Sequence, residues 1–307
     1  MIITDQTLRA IDKGFQAKFL GAIGAVKPIY NRIATVTTSS QAAEVYGDIG
    51  FIPSMRELIG EAITKNLRET SMTIANKEFE ATVAVKQAAI ERDSLGIYTP
   101  RIATLGTKGE KLKDKLIVDL LINGFTATDY TGSAFFGADK VHFTGGKVKY
   151  TNKDTKKLSA SNYEAARAAL RSIKGEDGEP LELGDDLVLV VSPDWEPTGK
   201  KILVAETVPN AAGTASQTNT NKGTAELVVS SRLAAAPNNW FLLDVGQPLR
   251  ALILQEEKAL QLLTTATGMT TEQLLTTHAY LWQAYWRGNA GYGLPQLAFG
   301  STGAQAA

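Results

Sequence analysis

The sequence predicts one long helix between a clear start signal and a clear stop signal. Thr99-Pro100 is a typical helix start, a hydroxyl side chain followed by proline at the first helical position, and Asn123-Gly124 is a typical stop. Gly106 and Gly109 are unfavourable inside a helix, so its continuity is least secure there. The stretch between the signals carries one apolar stripe: Leu105, Leu112, Leu116, Ile117, Leu120 and Leu121. Other parts of the chain must therefore cover one side of this helix.

Strand patterns lie on both sides of the long helix. Residues 79–86 alternate apolar and polar side chains, the period of a half-exposed strand, and Leu187–Val191 is a continuous apolar run typical of a buried one. This mixed order predicts an α+β fold and lacks the regular alternation of a doubly wound sheet. Further strands are predicted at 33–38, 227–233, 240–244 and 249–256, and shorter helices at 55–63, at 161–173 from a Ser161 capping box, and after Ser192-Pro193.

The N-terminal residues 4–26 predict an amphipathic helix that ends at Lys27-Pro28. On its pattern alone this helix packs on its own domain. Residues 206–224 hold almost no large apolar side chain and predict an exposed, mobile loop, whereas 300–307 predict a frayed tail. The glycine-rich residues 288–293 predict a tight turn within a hairpin over 279–299. The apolar positions of the N-terminal helix are Leu8, Ile11, Phe15, Phe19 and Ile23.

Composition excludes several classes of protein. The chain has 307 residues, 44% of them apolar, enough for a sizeable core. Its 32 basic side chains balance 32 acidic ones, which argues against a dedicated nucleic-acid binder and favours association over colloidal solubility. Cysteine is absent, which removes disulfides, thiolate metal sites and cysteine nucleophiles. No apolar run of 18 residues and no signal peptide pattern occurs, so we expect no membrane association and folding in a cytoplasm.

A search for catalytic chemistry returns no candidate. His142 and His278 are far apart and have no ligand spacing around them, so each is expected to be a packed or surface histidine. Nucleophile elbows, Walker loops and dinucleotide fingerprints are absent from the sequence. The acid pairs Glu176-Asp177 and Asp185-Asp186 flank turns, where solvated charge is the ordinary explanation. We therefore predict no catalytic residue, no cofactor and no metal, and a protein that is not an enzyme.

Lysines are concentrated in the middle of the long helix. Residues 108–115 contain four lysines together with Glu110 and Asp114. Mixed charges at this spacing predict a solvated face with local ion pairs, rather than a nucleic-acid stripe. Lys111, Lys115 and Asp119 are expected on that solvated side.

A series of non-catalytic residues closely resembles the major head subunit family of Mu-like phages. The resemblance is specific over 1–136 and looser over 137–307, with Thr131 and Pro295 departing from the family pattern. The residues that carry it are Asn31-Arg32-Ile33-Ala34, Tyr46-Gly47, Ile52-Pro53-Ser54-Met55-Arg56-Glu57, Gly60, Ala75-Asn76-Lys77, Phe79-Glu80, Thr82-Val83, Asp93, Leu95-Gly96-Ile97-Tyr98, Pro100, Asn123-Gly124-Phe125, Phe135-Phe136, Trp240–Asp244 and Asn289-Ala290-Gly291-Tyr292-Gly293.

The resemblance implies the Hong Kong 97-like capsid fold, which is α+β with an N-terminal arm, an extended two-stranded loop, a long spine helix, and peripheral and axial domains. Mapped on this chain, it implies an arm and lead-in strand at 1–43 and the extended loop at 44–86. The spine helix and the start of the peripheral domain fall at 87–129 and the axial domain mainly at 130–245. Residues 246–307 return to the peripheral and axial domains and end the chain.

The implied function is that of a major capsid protein of a tailed phage or Mu-like prophage. Such a subunit self-assembles as hexamers and pentamers into an icosahedral head enclosing double-stranded DNA. The implied partners are further copies of the chain, a scaffolding protein, a portal, a decoration protein, and packaged DNA by weak non-specific contact; no membrane is implied. The implied location is the virion, with the host cytoplasm during assembly. Two alternatives stay open: an encapsulin-like compartment shell, and a soluble ligand-binding protein or enzyme.

The expected interface lies on the arm and the extended loop. The strand over 79–86 is expected to pair with the region from Glu44 onward and to find little cover for its apolar face within its own subunit. The predicted subunit-interface residues are Phe15, Phe19, Tyr46, Ile52, Arg56, Glu57, Phe79 and Val83.

Overall fold

The computed structural model describes residues 3–47, 71–92, 94–143, 145–209, 216–266 and 278–305, and its described residues form helices packed on two larger sheets. The helices are α1 Asp5–Gly24, α2 Tyr30–Ile33, α3 Gln87–Glu91, α4 Thr99–Asn123, α5 Ala160–Arg171 and α6 Glu196–Leu203. The strands are β1 Ala34–Thr38, β2 Ala43–Gly47, β3 Ser71–Ala75, β4 Lys77–Lys86, β5 Lys140–Val141, β6 Lys149–Tyr150, β7 Lys153–Lys156, β8 Leu187–Val191, β9 Thr207–Pro209, β10 Ser216–Thr218, β11 Glu226–Val229, β12 Trp240–Asp244, β13 Leu252–Thr264, β14 Ala279–Tyr292 and β15 Ala298–Gln305.

One sheet, which we call the central sheet, has four strands in the order β1-β13-β14-β4. Its centre is the long antiparallel pair β13–β14, with β4 antiparallel to β14 and β1 parallel to β13. Trp282 and Trp286 of β14 are buried on one face, where α1 and α4 pack. Residues 288–292 continue β14, so the tight turn predicted at 288–293 is wrong: the glycines allow close packing against β13 and the β2–β3 pair.

Helix α4 is continuous through both glycines. A Cβ added at Gly106 would lie 2.8 Å from the Phe19 carbonyl oxygen of α1, and one at Gly109 would lie 2.7 Å from the Leu260 side chain of β13. The glycines therefore permit the close approach of α1 and β13 to the long helix. The predicted helix bounds are confirmed, but the residue flanking the start is Tyr98, and the Thr99 hydroxyl donates to the Leu95 carbonyl instead of capping the helix. No helix among the described residues is both long and apolar enough to cross a membrane.

The other large sheet has five strands in the order β11-β8-β12-β15-β7. All five residues of β8 and of β12 are buried, as their apolar runs predict. Strand β15 pairs with both β12 and β7, and Gly300 and Ser301 are buried within it. The expectation of a frayed tail at 300–307 is therefore wrong for the described residues up to 305. These residues have small side chains that give no apolar pattern in the sequence, but strands β12 and β7, which are distant in sequence, pair with them.

Local hydrogen bonds change two further predictions. Helix α5 is capped by Ser159, whose hydroxyl accepts from the Asn162 N–H, so the capping box at Ser161 is wrong. In the predicted loop at 206–224, Asn219 is buried and its amide donates to the carbonyls of Ile202 and Ala205 at the end of α6. The described residues of strands β9 and β10 are mostly exposed, as the loop prediction expected.

Candidate assembly surfaces

Strands β2 and β3 form a separate two-stranded hairpin with antiparallel register. Ala43 pairs with Ala75 at one end, and Gly47 pairs with Ser71 at the other. Gly47 and Ser71 are the described residues on either side of residues 48–70. Side chains of a strand alternate between its two faces. One face, with Ile74 at its centre, is covered by the subunit, and the other face exposes Val45 to 63%. The hairpin therefore presents one free face.

A polar cluster holds the base of this hairpin to the central sheet. Gln255 of β13 is fully buried, and its amide nitrogen donates to Asn76 Oδ1 at 2.7 Å and to the Ile74 carbonyl at 3.2 Å. The Tyr46 hydroxyl donates to Gln255 Oε1 at 2.9 Å, and burial raises the Tyr46 pKa. Asn289 of β14 donates its side-chain amide to the Ala75 carbonyl at 2.8 Å. Hydrogen bonds from both central strands thus fix where the hairpin leaves the sheet.

A glycine of β14 completes the hairpin base. The side chain of Ile74 occupies the space that a Cβ at Gly291 would fill. Gly291 and Asn289 alternate along β14 with the buried Trp286, which faces the helices. By strand alternation the hairpin lies on the sheet face opposite α1 and α4.

Two of the predicted interface residues belong to the core of the subunit. Phe15 is 4% exposed and Phe19 is fully buried, and Phe15 packs edge-on against the Trp282 ring with centroids 5.0 Å apart. Their neighbours in this cluster include Ile102 and Leu105 of α4. Their own chain leaves Phe15 and Phe19 almost no surface to offer a neighbour, so within the subunit they serve the core, and an interface role for them stays a prediction.

The predicted residues of β4 face the helices of their own subunit. Phe79 packs on the Trp286 ring with centroids 5.3 Å apart, Val83 is half-buried, and Val85 is fully buried. The partner of β4 is β14, and the region from Glu44 onward pairs with β3 instead. The expectation that the apolar face of this strand lacks cover within the subunit is therefore wrong. The remaining predicted interface residues, Ile52, Arg56 and Glu57, and the helix predicted at 55–63, lie outside the described residues.

A buried charged cluster lies where α4 meets α2 and β13. Lys113 Nζ lies 3.2 Å from Glu110 Oε2 and 3.4 Å from Glu256 Oε1. The Tyr30 hydroxyl donates to Glu110 Oε1 at 2.5 Å, and burial together with this bond raises the Tyr30 pKa far above its ordinary value. The Asp114 carboxylate accepts from the backbone N–H groups of residues 29 and 30, and burial raises its pKa against that stabilisation. The predicted solvated face at 108–115 is therefore wrong for these three α4 residues, Glu110, Lys113 and Asp114.

The other buried ionisable groups have structural partners. His142 is 2% exposed, its Nε2 lies 2.7 Å from the Lys174 carbonyl oxygen, and burial lowers its pKa. Lys140 donates to Asp129 Oδ2 at 2.6 Å and to two further oxygens of its own loop. Burial lowers the pKa of Lys140, while Asp129 opposes that effect. Within the described ranges, no group of three or more acidic or histidine side chains is arranged to hold a metal ion.

Sequence reasoning missed the residues that position the hairpin. Gln255, Asn289 and Gly291 received no role, although Asn289 and Gly291 stood in the glycine-rich segment assigned to a turn. The available signal was the buried polar Gln255 inside an apolar strand, which requires hydrogen-bond partners. Its three partners, Tyr46, Ile74 and Asn76, are all far from Gln255 in sequence.

Comparison with known proteins gives this architecture a class. The family model for the Mu-like prophage major head subunit gpT matches residues 8–156, 146–233 and 230–306. The major capsid protein of Escherichia phage Mu is 26% identical over 298 residues, which cover 97% of this chain and 74% of that protein. The FluMu major head subunit of Haemophilus influenzae is 30% identical over 151 residues, covering 49% of this chain and 48% of that protein.

Solved structures support the same class. The procapsid of bacteriophage JBD30 has a chain with 27% identity and a TM-score of 0.59, covering 97% of this chain and 76% of that one. A virus-like particle from Pyrococcus furiosus matches at 11% identity and a TM-score of 0.52, covering 94% of this chain and 98% of that one, and shows a shared fold alone.

The fold is therefore the Hong Kong 97-like fold of phage capsid proteins, and the class is that of a virion structural protein whose copies assemble into a shell. The chain belongs to the Mu-like prophage major head subunit gpT family and is the major capsid protein of a Mu-like phage.

Proposed function

We propose that this chain forms hexamers and pentamers that close into an icosahedral head around double-stranded DNA. Head-to-tail contacts between identical copies close into rings when the rotation between them permits it. Stable contacts of this obligate kind bury on the order of 2,000 Å² or more. In this proposal a scaffolding protein, a portal and a decoration protein are the further partners, and assembly takes place in the host cytoplasm.

The β2–β3 hairpin is the observation that carries this proposal. Its base is fixed to β13 and β14 through Gln255 and Asn289, and its outer face exposes Val45. A two-stranded hairpin by itself is only marginally stable. A hairpin that is anchored at its base and has one uncovered face is therefore suited to pack that face against a neighbouring copy. We propose that residues 44–86 form the extended loop, with β4 as the stem that joins it to the sheet. Ile52, Arg56 and Glu57 belong to the proposed contact, and Tyr46, also predicted there, holds the hairpin base beside it through Gln255.

The proposed division of the rest of the chain follows the two sheets. Residues 1–43 form the arm and lead-in strand, although α1 within them packs on its own α4. Residues 87–129 contain the spine helix α4, and 130–245 form most of the axial domain around β8 and β12. Residues 246–307 supply β13 and β14 to the four-stranded central sheet, assigned to the peripheral domain, and β15 to the five-stranded sheet of the axial domain.

A deletion of residues 48–70 tests the proposed loop. A short Gly-Ser linker can replace them, because Gly47 and Ser71 are paired neighbours in the hairpin. We expect a soluble subunit with the circular dichroism and thermal melt of the parent. We also expect no shells by negative-stain electron microscopy, under conditions in which the parent, with its scaffold, assembles.

The matched control is the same Gly-Ser linker inserted between residues 47 and 48 without a deletion, which keeps every residue of the loop. It separates the loss of the loop from disturbance of the hairpin. Normal shells from the deletion variant contradict the proposed contact. Global unfolding contradicts it as well, since the segment then belongs to the subunit core. A parent that stays monomeric in light scattering with scaffold present contradicts self-assembly itself.

A further inference from the structure

The charged side chains of α4 are segregated between its two sides. Arg101, Lys108, Lys111 and Lys115 are all exposed, and their spacings of seven, three and four residues place them on one side of the helix. We call these four residues the basic helical face. At 1.5 Å per residue it extends for about 21 Å along the helix. The structure thus gathers four cations into one exposed row.

Two acidic residues of α4, Glu110 and Asp114, are turned inward, whereas Asp119 lies on the same side as Lys115, four residues further along, and is half-buried. Glu110 is 6% exposed and bonded to Tyr30 and Lys113, and Asp114 is 7% exposed and accepts from two backbone N–H groups. Among the ion pairs of the described residues, none involves a residue of the basic helical face. The row therefore keeps its charge unpaired, although the sequence around it is mixed.

Neighbouring elements extend the positive charge. The Arg232 guanidinium donates to the Lys111 carbonyl at 3.2 Å, so it lies beside the row. Helix α1 exposes Arg9, Lys13 and Lys18, whereas its Asp12 accepts from the buried Trp282 at 3.1 Å. Asp5, in the first turn of α1, is the exposed acid of this helix.

The opposite face of the central sheet has a different character. Glu78 and Glu80 are exposed there, alternating along β4 with Phe79, which faces the helices. Arg287 on the same side lies between two carboxylates, 3.4 Å from Glu78 and 2.8 Å from Glu257. A chain with no net charge thus carries a cationic row on one side of its sheet, whereas Arg287 on the other side is paired with two carboxylates.

We propose that the basic helical face is the surface that the shell turns toward the packaged DNA, where it contacts the phosphates of the duplex. This rests on the proposed function, in which the shell encloses DNA. A row of four cations with Thr104 exposed between them lacks the apolar centre of a protein interface. A regular row of cations suits the regularly spaced phosphates of a DNA duplex, because binding to phosphates depends on charge and not on a specific side-chain partner.

Equilibrium binding of the full-length, unassembled subunit to a labelled 30-base-pair duplex tests the proposal. Fluorescence anisotropy is measured between 20 and 200 mM NaCl for the parent and for Lys108→Gln/Lys111→Gln/Lys115→Gln. Each lost phosphate contact lowers the slope of log K against log salt by about 0.9, so the slope should fall by about 2.7. Affinity at the lowest salt should fall at least about tenfold.

Two matched variants isolate the position of the charge. Lys147→Gln/Lys149→Gln/Lys201→Gln removes three exposed lysines elsewhere and should bind the duplex as the parent does. Lys108→Arg/Lys111→Arg/Lys115→Arg keeps the charge and should retain binding. Circular dichroism on each variant verifies the fold.

Several results overturn the proposal. One is an unchanged salt slope in the Lys108, Lys111 and Lys115 glutamine variant, and another is an equal loss in the control, which indicates net charge alone. A third is normal DNA binding by the first glutamine variant together with a failure to form shells, which indicates contact with protein. A parent with no detectable DNA binding at 20 mM salt also overturns it. Microscopy of the parent reports shell formation separately, so the two proposals can fail independently.

Discussion

Replacing Lys113 with methionine tests whether the buried charged cluster holds α4 to the central sheet. The side chain of Lys113 is 6% exposed, and its ammonium lies between Glu110 and Glu256 at 3.2 and 3.4 Å. At an effective dielectric constant of 20, each contact has a Coulomb energy of about 5 kcal/mol before the cost of desolvation. Methionine keeps most of the packing of the stem but leaves two carboxylates facing each other.

The expected loss in the free energy of unfolding is about 3–5 kcal/mol, the usual effect of breaking a buried ion pair. Urea titration of the unassembled subunit, followed by tryptophan fluorescence, measures it directly, since Trp286 donates to Glu256 at 3.2 Å. The matched control is Lys115→Met, two residues along on the exposed side, which should change stability by less than about 0.5 kcal/mol.

Adding Glu110→Gln to Lys113→Met should recover part of the loss. The glutamine removes one unpaired charge and still accepts from the Tyr30 hydroxyl. If Lys113→Met is as stable as Lys115→Met, or if the second substitution lowers stability further, the ion cluster does not hold the helix in the way described.

Three further pairs of measurements follow from the fold. Gly106→Ala should lower the free energy of unfolding by about 1–3 kcal/mol, because its Cβ would lie 2.8 Å from the backbone of α1. Gly14→Ala, with open space around it, should raise it by about 0.5–1 kcal/mol, and chemical denaturation that finds the same sign for both contradicts the packing argument. Ser159→Ala should lower the free energy of unfolding by about 1 kcal/mol because it removes the N-cap of α5, while Ser161→Ala should lower it by almost nothing. Thermal melts that give the reverse order would support Ser161 as the cap instead. Burial lowers the pKa of His142, so the unfolded chain takes up this proton first, near its ordinary pKa of 6.5, and the parent should lose stability as pH falls below about 6.5. His142→Gln can still donate to the same carbonyl and should not show this loss, so identical pH profiles from melts between pH 7 and 5 refute that assignment.

Prediction from sequence succeeded where the signal is local. The ends of α4, the alternating strand β4 and the buried strand β8 each follow from residues within the element. Proline at a helix start, glycine at its end and side-chain periodicity act on the backbone at short range, and no distant partner changes their effect.

Prediction failed where a distant partner decides the outcome. The period of β4 is correct, but which face is covered depends on β14, about 200 residues later in the chain. The frayed tail became β15 because β12 and β7 lie on either side of it. The same reason places Phe15 and Phe19 in the core, since only the folded chain brings α4 against α1.

The candidate surfaces divide in the same way. By itself the sequence determined the family, the α+β class, and a long helix with four lysines around Glu110 and Asp114. Only the tertiary structure decided that the two acids turn inward, because their partners come from α2 and, through Lys113, from β13. The hairpin base likewise exists only when Gln255 meets Asn76, which is 179 residues away. Helical periodicity says which residues share a side, but the side that is buried is set by what packs against it.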